Sequence, residues 1–101
     1  MLDYFANVGA GVFLCNSIPH LVAGMQGKPF PSAFATPPGI GNSRPVLNVL
    51  WAMLNIVAGF ALLGYAPVNI GLNLPFVLFL LGFYVSGSLV ALYFSKVRKE
   101  I

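Results

Sequence analysis

The chain has 101 residues and a net charge of +3, and its composition is 58% hydrophobic and only 7% charged. A soluble domain carries about 25% charged residues, so this chain has too few polar groups to cover a surface in water. The composition excludes a soluble globular domain and predicts a small membrane protein of one domain, residues 1–101. The single cysteine, Cys15, excludes an internal disulfide bond.

Three apolar stretches are long enough to cross a membrane, which takes about 20 residues for about 30 Å of hydrocarbon. They cover residues 4–25, 46–66 and 74–94, and none contains Asp, Glu, Lys or Arg. Because lipid offers no water to unpaired backbone groups, each stretch should be helical. The sequence therefore predicts an all-α fold with three transmembrane helices.

Residues typical of helix starts precede these stretches. Asp3, Ser43 and Asn73 are each expected to cap a helix. Pro45 and Pro75 follow two of them, in the first helical turn, where a missing N–H costs nothing.

The orientation follows from the basic residues. With three spans, the segments 26–45 and 95–101 lie on the same side, while Asp3 and the turn 67–73 lie on the other. The first side holds every basic residue of the chain, namely Lys28, Arg44, Lys96, Arg98 and Lys99. The positive-inside rule predicts that this side faces the cytoplasm, with the N-terminus outside and the C-terminus inside.

The two connecting segments differ in character. The turn 67–73 is short, so we expect the second and third helices to form an antiparallel hairpin. The segment 26–45 is rich in Pro and Gly, which excludes a long helix, yet it carries Phe30 and Phe34. It is interpreted as a loop on the inner membrane interface, with a docking segment for a partner protein as the alternative.

One face of the second helix combines small and polar residues. Asn48, Ala52, Asn55 and Gly59 are spaced to share this face, and Trp51 lies beside it. Such a face favours close helix packing with hydrogen bonds between helices, within the chain or between subunits. The alternative is a polar lining for a solute path.

The first helix carries a polar group near its cytoplasmic end. His20 follows Pro19, and Asn16 lies one turn earlier on the same face. His20 is interpreted as a residue at the membrane edge that bonds to Asn16 or to the loop. The alternative is a proton or ligand site, because histidine can change its charge near neutral pH.

The third helix contains two patterns of small residues four positions apart. The first pattern runs from Gly82 to Ser86, and the second starts at Gly87. Patterns of this kind predict a closely packed helix face.

Several classes of function lack their usual residues. The spans hold no charged side chain for an ion pump, and there is no catalytic triad, paired carboxylate or phosphate-binding loop. Cys15, His20 and Met25 are each five residues apart and point in different directions on a helix, so they do not form a metal site. We expect no enzymatic activity, no metal, no cofactor and no nucleic-acid partner.

Two resemblances rest on particular motifs. The segments Ser17-Ile-Pro-His20, Phe34-Ala-Thr-Pro-Pro-Gly39 and Asn48-Val-Leu-Trp51, with Asn55, resemble a pattern in small uncharacterised bacterial three-helix membrane proteins. This resemblance supports the three-helix architecture, and the expected location is the bacterial cytoplasmic (inner) membrane. The chain is also similar in size and helix number to SemiSWEETs, bacterial half-transporters of sugars that work as homodimers. Their first helix carries a Pro-Gln motif where this chain has Pro19-His20, and Trp51 is similar to a tryptophan of their second helix.

Two functions are compatible with these features. The first function is that of an accessory or stabilising subunit of a larger membrane complex. It is favoured because three slim helices bury few residues within one chain. The second is a homo-oligomeric carrier or channel for a small solute, with a path lined by Asn16, His20, Asn48 and Asn55. Besides the lipid bilayer, the partners would be other membrane subunits or further copies of the chain.

Overall fold

The computed structural model describes residues 1–98 and contains three helices: α1 (Leu2–Met25), α2 (Pro45–Tyr65) and α3 (Leu74–Arg98). All three are long and apolar enough to cross a membrane, which confirms the predicted all-helical, multi-pass class. The spans begin and end near the predicted positions, except that α3 continues one turn further into the basic tail. Lys99 lies outside the described residues.

Only one of the three predicted helix caps forms. The Asn73 side-chain oxygen accepts a hydrogen bond from the Phe76 backbone N–H at 2.9 Å. The prediction is wrong for Asp3, which lies inside the first turn of α1, where its charge still favours the positive end of the helix dipole. It is also wrong for Ser43, because α2 begins at Pro45 and the cap position belongs to Arg44.

α1 is the central helix of the bundle. It packs antiparallel against α2 and parallel to α3, whereas no Cα atom of α2 lies within 8 Å of α3 among residues 1–98. The short outer turn therefore joins two antiparallel helices that do not pack on each other. The predicted hairpin lacks a direct contact because α1 presents small residues on both sides and lies between the two.

Glycines bring α1 and α3 together. A Cβ atom on Gly11 would overlap the carbonyl oxygen of Phe79, and one on Gly82 would overlap the carbonyl oxygen of Val8. The hydroxyl of Ser86 adds a hydrogen bond to the Val12 carbonyl at 3.4 Å. The two backbones approach this closely only because the side chains at the crossing are missing or small.

The contact between α1 and α2 is longer and more polar. At its outer end, the Asn7 amide donates to the Ala66 carbonyl at 2.9 Å. At its middle, Gly59 leaves room for Leu14, whose side chain would overlap a Cβ at that position. Ala10 and Ala52 are fully buried nearby. The half of this contact nearer the loop 26–45 holds most of the polar residues.

The loop 26–45 folds onto the end of the bundle at which α1 ends and α2 begins. Phe30 and Ser43 exchange backbone hydrogen bonds of 3.3 and 2.9 Å, and the hydroxyls of Ser32 and Ser43 lie 2.6 Å apart. From α3, the Tyr93 hydroxyl donates to the Gly39 carbonyl at 2.8 Å. The loop is thus tied to itself and to α3.

Candidate functional site

The polar centre of the molecule is a histidine held by an asparagine. His20 on α1 is 3% exposed, and its Nδ1 lies 3.0 Å from Oδ1 of Asn48 on α2. The Asn48 amide nitrogen lies 2.9 Å from the Phe30 carbonyl, with the carbonyls of Ser43 and Arg44 at 3.3 and 3.4 Å. Because those carbonyls only accept, the amide nitrogen must face them and Oδ1 must face His20. The His20 Nδ1–H therefore donates, and Nε2 carries the lone pair.

Aromatic rings surround this histidine. Phe30, Trp51 and Phe94 present their rings edge-on at centroid distances of 5.4, 6.4 and 6.4 Å. Phe30 and Phe94 also contact each other at 4.8 Å, and Phe34 lies against Trp51 at 5.7 Å. The loop and all three helices thus contribute to one apolar enclosure, in which a hydrogen bond is stronger than in water.

A second polar pair lies deeper in the membrane. The Asn16 amide donates to Oδ1 of Asn55 at 3.1 Å, and the Asn55 amide donates to the Trp51 carbonyl at 2.8 Å. The prediction that His20 bonds to Asn16 or to the loop is therefore wrong, because each of these α1 residues pairs with an asparagine of α2. Within residues 1–98, no fully buried side-chain nitrogen or oxygen lacks a hydrogen-bond partner.

The residues singled out from the sequence fall into three places. The contact of α1 with α2 holds Asn16, His20, Asn48, Trp51, Asn55 and Gly59. The contact of α1 with α3 holds Gly82, Ser86 and Gly87. Phe30 lies against His20 inside the bundle, whereas Phe34 remains 45% exposed on the loop. Phe94 completes the ring of aromatic side chains around His20. The Ser43 carbonyl lies near the Asn48 amide, and the Ser43 hydroxyl meets that of Ser32. The sequence did not indicate these roles, because they depend on how the loop folds back.

The chemistry open to this enclosure is limited. Within the described residues, His, Cys, Asp and Glu nowhere form a group of three that could hold a metal ion. The only described carboxylate side chain, Asp3, is at the other end of α1. The enclosure can therefore fix the loop and two helices by hydrogen bonds, and among residues 1–98 no carboxylate side chain lies near His20 to activate it.

A different kind of polar residue lies on the outside of α3. Tyr84 is 72% exposed and lies at the middle of this span, and Ser88 is exposed one turn later. Neither side chain hydroxyl has a hydrogen-bond partner among residues 1–98. Tyrosine in membrane proteins favours the two interfaces, so its position at the centre of an apolar span is the sequence feature that could have drawn attention to it.

Comparison with known proteins gives no relative: no protein-family model, curated protein or solved structure matches the chain.

Proposed function

We propose that the chain is a non-enzymatic accessory or stabilising subunit of a larger complex in the bacterial cytoplasmic membrane. In this proposal the N-terminus lies outside, and the folded loop with the basic tail lies in the cytoplasm. The observation that carries the proposal is the unpaired hydroxyl of Tyr84 at the centre of the lipid-facing side of α3.

A hydroxyl that faces hydrocarbon without a partner is costly. Mutational data put the cost of such a group at about 1–3 kcal/mol. A helix of another subunit that packs on this face would supply an acceptor, and Ser88 would add a second hydroxyl on the same face. A shallow depression of about 340 Å³ lies beside them, lined by Cys15, Phe83, Tyr84, Gly87, Ser88 and Ala91. A side chain of the neighbouring helix would fill it.

The internal polar residues favour this proposal over the carrier. Asn16, His20, Asn48 and Asn55 were expected to line a solute path, but they bond to one another or to the backbone within one chain. A solute would have to replace these hydrogen bonds and separate helices that meet at glycines. The homo-oligomeric carrier therefore stays the alternative prediction, supported by the resemblance to SemiSWEETs alone.

The substitution Tyr84→Phe tests the proposal because it removes only the hydroxyl. We expect the complex extracted from native membranes with an amphipathic polymer to lose partner protein, with binding about fivefold weaker, as the loss of one hydrogen bond implies. The ratio of partner to this chain in native mass spectrometry measures the effect.

The matched control is Tyr65→Phe at the outer end of α2, where water can replace the partner of the hydroxyl. This variant should keep the wild-type ratio. Recovery of the wild-type chain alone, or only as a homo-oligomer, would contradict the proposed subunit role. A homo-oligomer would make solute flux the next measurement.

A further inference from the structure

A second depression, a groove of about 540 Å³, runs between α1 and α3 on the cytoplasmic side of the molecule. Its walls are almost entirely hydrocarbon, from Ile18 and Val22 on α1, Val90 and Ala91 on α3, and Pro29 and Phe30 on the loop. The groove exists because α2 packs on the other side of α1 and because the loop folds over only part of the space between α1 and α3.

The depth of the groove matches one leaflet. On α1 it is lined from Cys15 to Gln26, which spans about 16 Å at 1.5 Å per residue. Half the thickness of a hydrocarbon core is about 15 Å. The groove therefore runs from near the middle of the membrane to the interface on the basic side.

The mouth of the groove is polar and positive. Lys28 and Gln26 both line it and are both exposed. Within residues 1–98 the only carboxylate side chain is Asp3, at the far end of α1, so the Lys28 ammonium has no acidic side chain nearby. An ammonium at this height is placed to meet the phosphate of a lipid.

We propose that this groove binds an anionic phospholipid of the leaflet on the basic side, with one acyl chain between α1 and α3 and the phosphate at Lys28. The acyl chain replaces the side chains that the groove lacks, and the lysine selects lipids with a net negative headgroup. All walls of the groove come from one chain, so the site does not require the protein partner at Tyr84, although the groove shares Cys15, Gly87 and Ala91 with the depression beside Tyr84.

The first experiment measures lipid preference. The purified, delipidated full-length protein is mixed with equal amounts of phosphatidylglycerol and phosphatidylcholine of the same chain length, and native mass spectrometry counts the bound lipids. We expect phosphatidylglycerol to be favoured about fivefold, the ratio that one lysine near an anionic headgroup supplies. Equal binding of the two lipids would overturn the proposal.

Two charge variants locate that preference. Lys28→Gln should abolish it, whereas Arg44→Gln should retain it, because Arg44 is an exposed basic residue on the same side but does not line the groove. An equal loss of preference in both variants would mean that general surface charge, rather than the groove, attracts the lipid.

Two bulky variants test the acyl chain. Ala91→Trp fills the groove and should remove the bound lipid, while Leu92→Trp places the same side chain on the lipid-facing side of α3, where Leu92 is 63% exposed, and should retain it. If Ala91→Trp does not fold, Val22→Trp fills the groove from the opposite wall. Lipid retained in a folded groove-filling variant, or a protein segment cross-linked to position 22 in native membranes, would overturn the proposal.

Discussion

At the scale of single residues, Asn48 is the side chain that holds together the end of the bundle that carries the loop 26–45. It is fully buried, accepts a hydrogen bond from His20 and donates toward the carbonyl of Phe30. One amide thus joins α1, α2 and the loop. Asn16, by comparison, is half-buried and makes one side-chain hydrogen bond, to Asn55.

This difference predicts unequal effects of the same substitution. Asn48→Leu leaves the His20 N–H without its acceptor in an apolar enclosure and removes one of the donors to the Phe30 carbonyl, so we expect the free energy of unfolding to fall by about 2 kcal/mol. Asn16→Leu should cost about 0.6 kcal/mol, the average for a hydrogen bond between membrane helices. Denaturant unfolding in detergent micelles measures both values. Equal losses in the two variants would contradict the central role of Asn48.

The sequence could predict these polar residues but could not predict their pairs. Periodicity places Asn48 and Asn55 on one face of α2, and Asn16 and His20 on one face of α1. Which asparagine meets which residue depends on the offset between two antiparallel helices, and the offset depends on packing along their whole length. The contact of Phe30 with His20 was equally unpredictable, because a Pro- and Gly-rich segment has no periodicity from which its path can be derived.

At the scale of elements, the contact between α1 and α3 depends on glycine rather than on hydrogen bonds. Gly82 lies directly against the backbone of Val8, which cannot move without moving α1. Gly64 on α2, in contrast, has open space where a Cβ would be. The two glycines are both helical, so they form a matched pair.

Gly82→Ala should therefore lower the free energy of unfolding by about 2 kcal/mol, the usual cost of overpacking. Gly64→Ala should leave it unchanged or raise it by up to about 1 kcal/mol, because alanine favours the helix. Thermal unfolding of the two variants in the same detergent compares them. A stable Gly82→Ala variant would show that α1 and α3 do not need this close approach.

The elements themselves were the most predictable part of the fold. Each span is a mostly apolar stretch of about 20 residues without a charged side chain, and lipid leaves the backbone of such a stretch no alternative to a helix. The central position of α1 was not predictable, because all three helices carry small residues. A pattern of small residues does not indicate which other helix packs on it.

At the scale of the whole molecule, the distribution of charge predicts the direction in which the chain crosses the membrane. All described basic residues lie at the end of the bundle that carries the folded loop, and Asp3 lies at the other end. Lys and Arg in short loops stay on the cytoplasmic side.

Single cysteines test this orientation in a Cys15→Ala background. Asn69→Cys in the turn 67–73 should react with a membrane-impermeant maleimide on intact cells, because position 69 is exposed and the predicted orientation places this turn outside. Ala33→Cys in the loop, which is also exposed, should react only after the cells are permeabilised. The reverse pattern of labelling would contradict the predicted orientation and place the lipid groove in the outer leaflet.

The central position of α1 also bears on how the chain assembles during synthesis. Of the three helices, α1 is made before the other two, and it is the only one that either of them packs against within residues 1–98. When α2 enters the membrane, its partner is already there, and the same is true for α3. Because no Cα atom of α2 lies within 8 Å of α3 among residues 1–98, neither helix has to wait for the other or to displace it. The order in which the ribosome delivers the helices is therefore also an order in which they can dock, without rearrangement of contacts already formed.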